Sequence, residues 1–274
     1  MGISRGIIPP TSFLRGVFNL IRDSLYFIYN GITSEDKNIV NVNIDSGIAE
    51  ESFFASKTII KTKTRNKSYF QRIKSDSLSF KVNFAFKNGF TEETLSDIKR
   101  WLWQDYYKPL IFNENLNRIY YAIVTSDSNI LHNYNNQGYI TLNFETNADH
   151  AWSPVYTSEI YNLDSNTTNG TNITFINNGD LTICPELSII KTVENGDVTI
   201  INSTNGGLEF KITNIIKNED LYINNEREEI ISNLPNTYRY DDFNNNWMEC
   251  VRGINNLKVY GKCRLQIKWQ CKLL

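Results

Sequence analysis

The side chains best suited to proton transfer, metal binding or nucleophilic attack are scarce in this sequence. It holds two histidines, His132 and His150, and four cysteines, Cys184, Cys250, Cys263 and Cys271, in 274 residues. Imidazole is the usual general base near neutral pH. Here, however, His132 falls in a loop after a predicted strand, and His150 follows Asp149 just before Trp152; both read as turn or packing positions. No Cys-x-x-Cys pair is present, so neither a zinc site nor a redox motif is supported. Nothing in the chain looks secreted, and reduced, mostly buried thiols are the expectation. The acidic pairs Glu35-Asp36, Glu92-Glu93 and Asp241-Asp242 are neighbours in sequence, whereas glycoside cleavage needs two carboxylates set across a cleft. The nucleophile elbow, the phosphate-binding glycine loops and the H-E-x-x-H zinc motif are all missing. The sequence therefore predicts a protein that is not an enzyme and uses no cofactor and no metal.

Two constellations suit binding instead. Residues 57–74 carry seven basic side chains, Lys61, Lys63 and Arg65 among them, in a strand-like stretch that reads as a long basic hairpin. A basic stripe invites a nucleic-acid reading, but no aromatic-spaced RNA-binding pattern accompanies it. The chain as a whole has a net charge of −2 and a pI near 5.8, which gives no bulk attraction to nucleic acid or to an anionic membrane. A solvated or subunit-facing hairpin is the preferred reading. The second constellation is Tyr238, Tyr240, Phe243 and Trp247. Aromatic rings on a β-sandwich can stack on a sugar, and they also serve as core and loop anchors.

The elements that must position these residues are mostly strands. Aromatic content of 13% with abundant Ile, Thr and Tyr favours them. Leu78, Phe80, Val82, Phe84 and Phe86 recur at period two and point to one side of a strand. After a turn at Asn88-Gly89, Thr91 is a suitable N-cap, and Glu92 and Glu93 sit where the helix dipole favours anions. Phe90 and Leu95 have the spacing of a hydrophobic staple. Leu95, Ile98 and Leu102, with Trp101 beside them, form the apolar stripe of one helix, which Pro109 prevents from continuing. Strands are also predicted at 25–29, 39–44, 110–112, 118–126 and 138–146. Further on, short strands at 173–176, 186–191, 198–202, 209–215 and 221–224 are punctuated by Asn-Gly turns, as in an antiparallel sandwich. A final pair is predicted at 257–260 and 263–272, with Cys263, Leu265, Ile267, Trp269 and Cys271 on one face. Residues 161–172 are the most linker-like stretch. The organisation expected is an arm at 1–24, a domain at 25–155 and a second at 156–274. The arm has no signal-peptide pattern. Thr11 is placed to cap a short amphipathic helix bearing Leu14, Val17, Phe18 and Ile21, which docks on its own domain or on a partner subunit.

The pattern resembles the distal tail proteins of long-tailed phages and related phage-derived particles. In the N-terminal half the resemblance runs through Phe27-Ile28-Tyr29-Asn30-Gly31 with Ser34 and Asp36, then Leu78-Ser79-Phe80 with Val82 and Phe84. It continues in Ile98 with Trp101-Leu102, Gly138-Tyr139, Leu142, Phe144-Glu145 and Ser153-Pro154. In the C-terminal half it runs through Asn177-Asn178-Gly179-Asp180, Pro185-Glu186, Asn202, Thr204, Gly206, Trp247, Gly253, Asn255-Asn256-Leu257 and Gly261. The first 24 residues depart from the family pattern. The resemblance implies a mainly β protein: a tail-tube-like split β-barrel or sandwich carrying one α-helix, followed by a galectin-like antiparallel β-sandwich. It implies six copies in a ring that joins the tail tube to the baseplate hub at the virion tail tip, assembled in the host cytoplasm. Its partners would be the tail tube protein and the hub or tail-tip protein, with DNA passing through the channel without being recognised, and no membrane. On this reading Lys61, Lys63 and Arg65 are the candidate ring interface. A carbohydrate-binding module that grips host-surface glycans through Tyr238, Tyr240, Phe243 and Trp247 is the alternative.

Overall fold

The computed structural model describes residues 24–42, 55–125, 130–133 and 135–274. The arm with its Thr11-capped helix lies outside the described residues. So do the last residues of the predicted 39–44 strand. By its internal contacts the chain divides into two compact units, with the division between Trp152 and Ser153. Both are built almost wholly from antiparallel strands.

The N-terminal unit contains β1 (Phe27–Tyr29), β2 (Ile32–Thr33), β3 (Ile39–Asn41), β4 (Lys57–Thr64), β5 (Lys67–Ser75) and β6 (Ser79–Phe86). The helix α1 (Glu92–Leu102) follows, then β7 (Lys108–Phe112), β8 (Ile119–Val124), β9 (Ile130–His132), β10 (Gly138–Thr146) and β11 (Ala151–Trp152). The main sheet has the order β2-β1-β7-β8-β10-β6-β3, with β9 added to β10. Alternation in β6 works as the sequence suggests: Val82, Phe84 and Phe86 are buried while Ser79 and Lys81 face water. Thr91 caps α1, its Oγ1 accepting from the Thr94 N–H, and Glu92 and Glu93 occupy the first turn. Phe90 packs on Phe86, with ring centroids 5.0 Å apart.

Trp101 fastens the helix to the sheet. Its ring stacks on Phe27 at 5.6 Å and 9°, and its indole N–H donates to the Tyr29 carbonyl at 2.8 Å. Tyr29 in turn donates to the Ala122 carbonyl (3.2 Å), and burial pushes its phenol up to about 12. Phe27, Tyr29, Phe84, Leu110, Phe112 and Phe144 form the fully buried centre beneath them. Two residues after Trp101 the chain leaves the helix, and Trp103 stands 84% exposed.

The C-terminal unit is a two-sheet sandwich. Its strands are β12 (Tyr156–Thr157), β13 (Tyr161–Asn162), β14 (Thr171–Asn177), β15 (Glu186–Ile190), β16 (Gly196–Asn202), β17 (Leu208–Ile215), β18 (Asp220–Asn224), β19 (Glu229–Ser232), β20 (Gly253–Tyr260), β21 (Arg264–Trp269) and β22 (Lys272–Leu273). One sheet runs β12-β21-β15-β18-β19, with β13 also on β21, and the other runs β14-β20-β16-β17. Inward residues of the two sheets, among them Leu187, Ile189, Ile200, Phe210, Ile223 and Ile267, make one apolar cluster.

The structure corrects two readings. The row from Cys263 to Cys271 is not one strand. It stops at Trp269, because the Cys271 N–H is taken by Ser153 Oγ at 2.8 Å and its carbonyl by the Ser153 N–H at 2.9 Å. The stretch 161–172 is no free linker either. Leu163 belongs to the core, and the Asn166 side chain donates to the carbonyls of Val259 (2.9 Å) and Gly261 (3.0 Å). At Gly261 the backbone turns with φ +90, and a Cβ there would lie 2.1 Å from the Asp197 carbonyl oxygen, so only glycine fits.

Candidate assembly surfaces

Among the described residues, strands β4 and β5 pair only with each other, through a turn in which Arg65 adopts φ 54. Every described residue of β5 is exposed, and in β4 only Ile60 is half-buried. Lys61, Lys63 and Arg65 therefore sit together on one solvent-facing ribbon. Across the ribbon Ile59 faces Ile73, then a bulge intervenes and Lys61 faces Phe70. Because opposite residues share a face, Ile59, Ile73 and Phe70 form an apolar row on the same side as Lys61 and Lys63. Ile59 and Ile73 are each 53% exposed and Phe70 is 64% exposed. The sequence showed the hairpin and its charge. It did not show that the apolar residues stay uncovered, because periodicity cannot tell a strand facing a core from one facing nothing.

The four aromatic residues of the C-terminal unit are not brought onto one exposed face. Phe243 is buried, with ring centroids 5.1 Å from Phe210 and 4.6 Å from Trp247, and Trp247 packs against the core cluster. Tyr238 stands 83% exposed. Tyr240 is half exposed, and its hydroxyl accepts from the Ile230 N–H (3.2 Å) and donates to the Glu228 carbonyl (3.4 Å), which ties it to strand β19.

A charged cluster missed by sequence reasoning holds this segment down. Glu219 is fully buried and takes two bonds from Arg239, Nε to Oε1 at 2.8 Å and Nη2 to Oε2 at 2.6 Å. Ser232 Oγ (2.7 Å) and the Ile216 N–H (2.9 Å) also donate to it. Arg239 donates in addition to Asp242 at 2.8 Å. Burial pushes the Glu219 carboxyl up, but the Arg239 guanidinium and the other donors outweigh it and hold the group below its ordinary range. Asp242 is held low by the Asn214 amide and by Arg239. Glu219 and Arg239 are twenty residues apart, and no spacing rule links them.

The residues suited to reactive chemistry serve packing. His132 is exposed, its ring edge-on to Phe90 at 5.9 Å. His150 is buried, with Nδ1 at 2.7 Å from Asp149 and its ring 4.7 Å from Trp152. Cys250, Cys263 and Cys271 are buried, and burial pushes all four thiols up, Cys184 and Cys263 to about 12. Such thiols stay protonated and weakly nucleophilic. Among the described residues no group of three or more His, Cys, Asp or Glu could hold a metal ion, and no helix is long and apolar enough to cross a membrane.

Comparison with known proteins agrees with this architecture. Residues 22–148 match a family model described as a phage tail protein N-terminal domain, and residues 151–269 match a phage tail C-terminal domain. An SPbeta prophage-derived protein of Bacillus subtilis (strain 168), YomH, is 32% identical over 257 residues, which cover 93% of this chain and all of that one. This chain belongs to the phage tail protein family. The fold of this tail protein is that of the distal tail proteins. The crystal structure of phage SPP1 Dit (gp 19.1), described as a paradigm of the hub adsorption apparatus in phages that infect Gram-positive hosts, matches with a TM-score of 0.68 over 91% of this chain and 99% of that one, at 13% identity. A chain of the phage P2 baseplate in its activated, Ca-bound conformation matches with a TM-score of 0.50 over the same share of each chain, at 8% identity.

Proposed function

We propose that this tail protein is a non-enzymatic structural adaptor, six copies of which close into a ring that joins the tail tube to the baseplate hub. The observation that carries the reading is the free-standing basic hairpin. An isolated two-stranded ribbon is marginal in water, and one that exposes isoleucines and a phenylalanine needs a partner to cover them. A closed ring requires a heterologous interface, with different patches on the two sides of each protomer, and a projecting ribbon supplies one such patch. The likeness to SPP1 Dit in fold supports the same assignment. On this reading the N-terminal domain, 25–155, forms the ring and contacts the tail tube and hub proteins. The domain at 156–274 is carried by it, the working place is the virion tail tip, and assembly takes place in the host cytoplasm.

Native mass by light scattering over a range of concentrations tests the ring, and a mass near six times 31.8 kDa is expected. Reversing Lys61, Lys63 and Arg65 to glutamate is expected to weaken assembly strongly while leaving the monomer folded, because all three side chains are exposed. A folded triple variant that assembles like the parent would refute the role given to the hairpin.

A further inference from the structure

The N-terminal unit carries a cleft with an apolar floor and a cationic rim. It runs between α1 and the strands β8, β9 and β10 and measures about 950 Å³. Leu95, Ile98 and Leu102 of the helix and Ile130, Ile140 and Leu142 of the strands give its apolar surface, and the exposed Trp103 stands at its edge. Among the described residues nothing fills it. The charged side chains that line it are Lys99, Arg100 and Asp105, all exposed, so two cations face one anion. Lys99 and Arg100 lie in the last turn of α1, where the helix dipole favours cations. Asp97, farther back on the helix, is held chiefly by Lys37 at 2.6 Å and only in lesser part by Arg100. Among the described residues the positive rim is therefore left largely uncompensated.

We propose that this groove docks an acidic amphipathic helix of another protein, with apolar side chains laid on the floor and carboxylates set against Lys99 and Arg100. An apolar trough beside a charged rim is the form that receives such a helix. The wall from Leu95 to Asp105 matches an occupant of about ten residues at the helical rise. This deepens the adaptor reading above by giving the chemistry of one partner, and it does not depend on six copies. Charge selects against the chain's own apolar candidates. Residues 57–75 hold seven basic side chains and no acidic one, and residues 1–24 hold Arg5, Arg15 and Arg22 against Asp23 alone. Either would bring cations to a cationic rim, and like charges across an interface oppose it. Residues 43–54 do carry Asp45, Glu50 and Glu51 and no base, but they join β3 to β4, and β3 lies on the opposite side of β6 from β10. The acidic occupant is therefore assigned to a partner.

The test uses the full-length chain and three labelled helical peptides of about fourteen residues. The first has a leucine face flanked by glutamates, the second the same face flanked by lysines, and the third glutamate flanks with serines in place of the leucines. Fluorescence anisotropy should show the first binding about tenfold or more tightly than either of the others. Lys99→Glu with Arg100→Glu should reverse the preference between the two leucine peptides, and Lys99→Gln with Arg100→Gln should bring them level. Trp103→Ala should weaken the first peptide by about threefold or more. Equal binding of the two leucine peptides to the parent chain, or a glutamate preference that survives both charge variants, overturns the docking. So does a glutamate peptide that binds only after Asp45, Glu50 and Glu51 are replaced by lysine, which would make residues 43–54 the occupant. If no peptide binds and Lys99→Glu with Arg100→Glu abolishes self-assembly, the occupant is a second copy and the proposal falls. A chain that stays monomeric at every concentration yet shows the expected peptide pattern refutes the ring and upholds the docking. A ring of the expected mass with no peptide preference does the reverse.

Discussion

Replacing Arg239 by alanine is expected to lower the stability of the C-terminal unit by about 3–5 kcal/mol, the usual cost of leaving one member of a buried ion pair alone. Glu219 lies at zero exposure and takes two of its four hydrogen bonds from that guanidinium. Without it, burial dominates and the carboxyl is pushed up instead of held down. The two states have opposite pH behaviour. In the parent protein the folded pKa of Glu219 is depressed, so its contribution is fully present above the ordinary value of 4.5 and is lost as pH falls through the folded value. In Arg239→Ala the raised carboxyl makes the fold weaker as pH rises through it. The deficit between the two proteins should therefore be largest near neutral pH and shrink towards pH 4. Urea unfolding followed by amide exchange in peptides from 186–269 measures it. A deficit that does not change with pH would show that packing, and not the buried charge, sets the loss. Replacing both Glu219 and Arg239 by methionine should recover part of the loss, since an apolar pair leaves no orphan charge.

Trp101→Ala is expected to cost the N-terminal unit about 3–5 kcal/mol, as for other large aromatic deletions in a core. The indole stacks on Phe27, meets Tyr29 edge-on at 6.2 Å and donates to its carbonyl. Losing it removes both the packing and the hydrogen bond that hold α1 on the sheet. Trp101→Phe keeps a ring there and should cost less, while Trp103→Ala, at an exposed position, should leave monomer stability within about 0.5 kcal/mol of the parent. Thermal melts of the three variants check the ranking. Equal losses for Trp101→Ala and Trp103→Ala would contradict the assignment of Trp101 as the anchor.

Much of the scaffold was legible from local rules. The period-two row of β6, the Thr91 cap, the acidic first turn and the stop before Pro109 each follow from a few adjacent residues, and the helix boundaries fell where those residues put them. Asparagine at turns was legible too: Asn30, Asn136 and Asn245, among others, take positive φ. Less legible were features decided by distant partners. The four-residue strand β19 was missed because Glu229-Ile230-Ile231-Ser232 is too short to show a period, and it exists because β18 pairs with it. The end of β21 is set by Ser153, more than a hundred residues away. Of the candidate sites, the basic hairpin was visible as a run of charge, but its lack of cover was not. The aromatic segment looked uniform, and only the sandwich decided that Phe243 and Trp247 turn inward while Tyr238 turns out.

Among the described residues the ribbon formed by β4 and β5 has no strand partner on either edge, which is the geometry that templates runaway strand addition. The lysines and arginines that crowd it turn this liability aside, since two such ribbons brought edge to edge would set like charges against each other. The same side chains therefore forbid the hairpin a copy of itself, which keeps separate chains in a crowded cell from knitting into fibres.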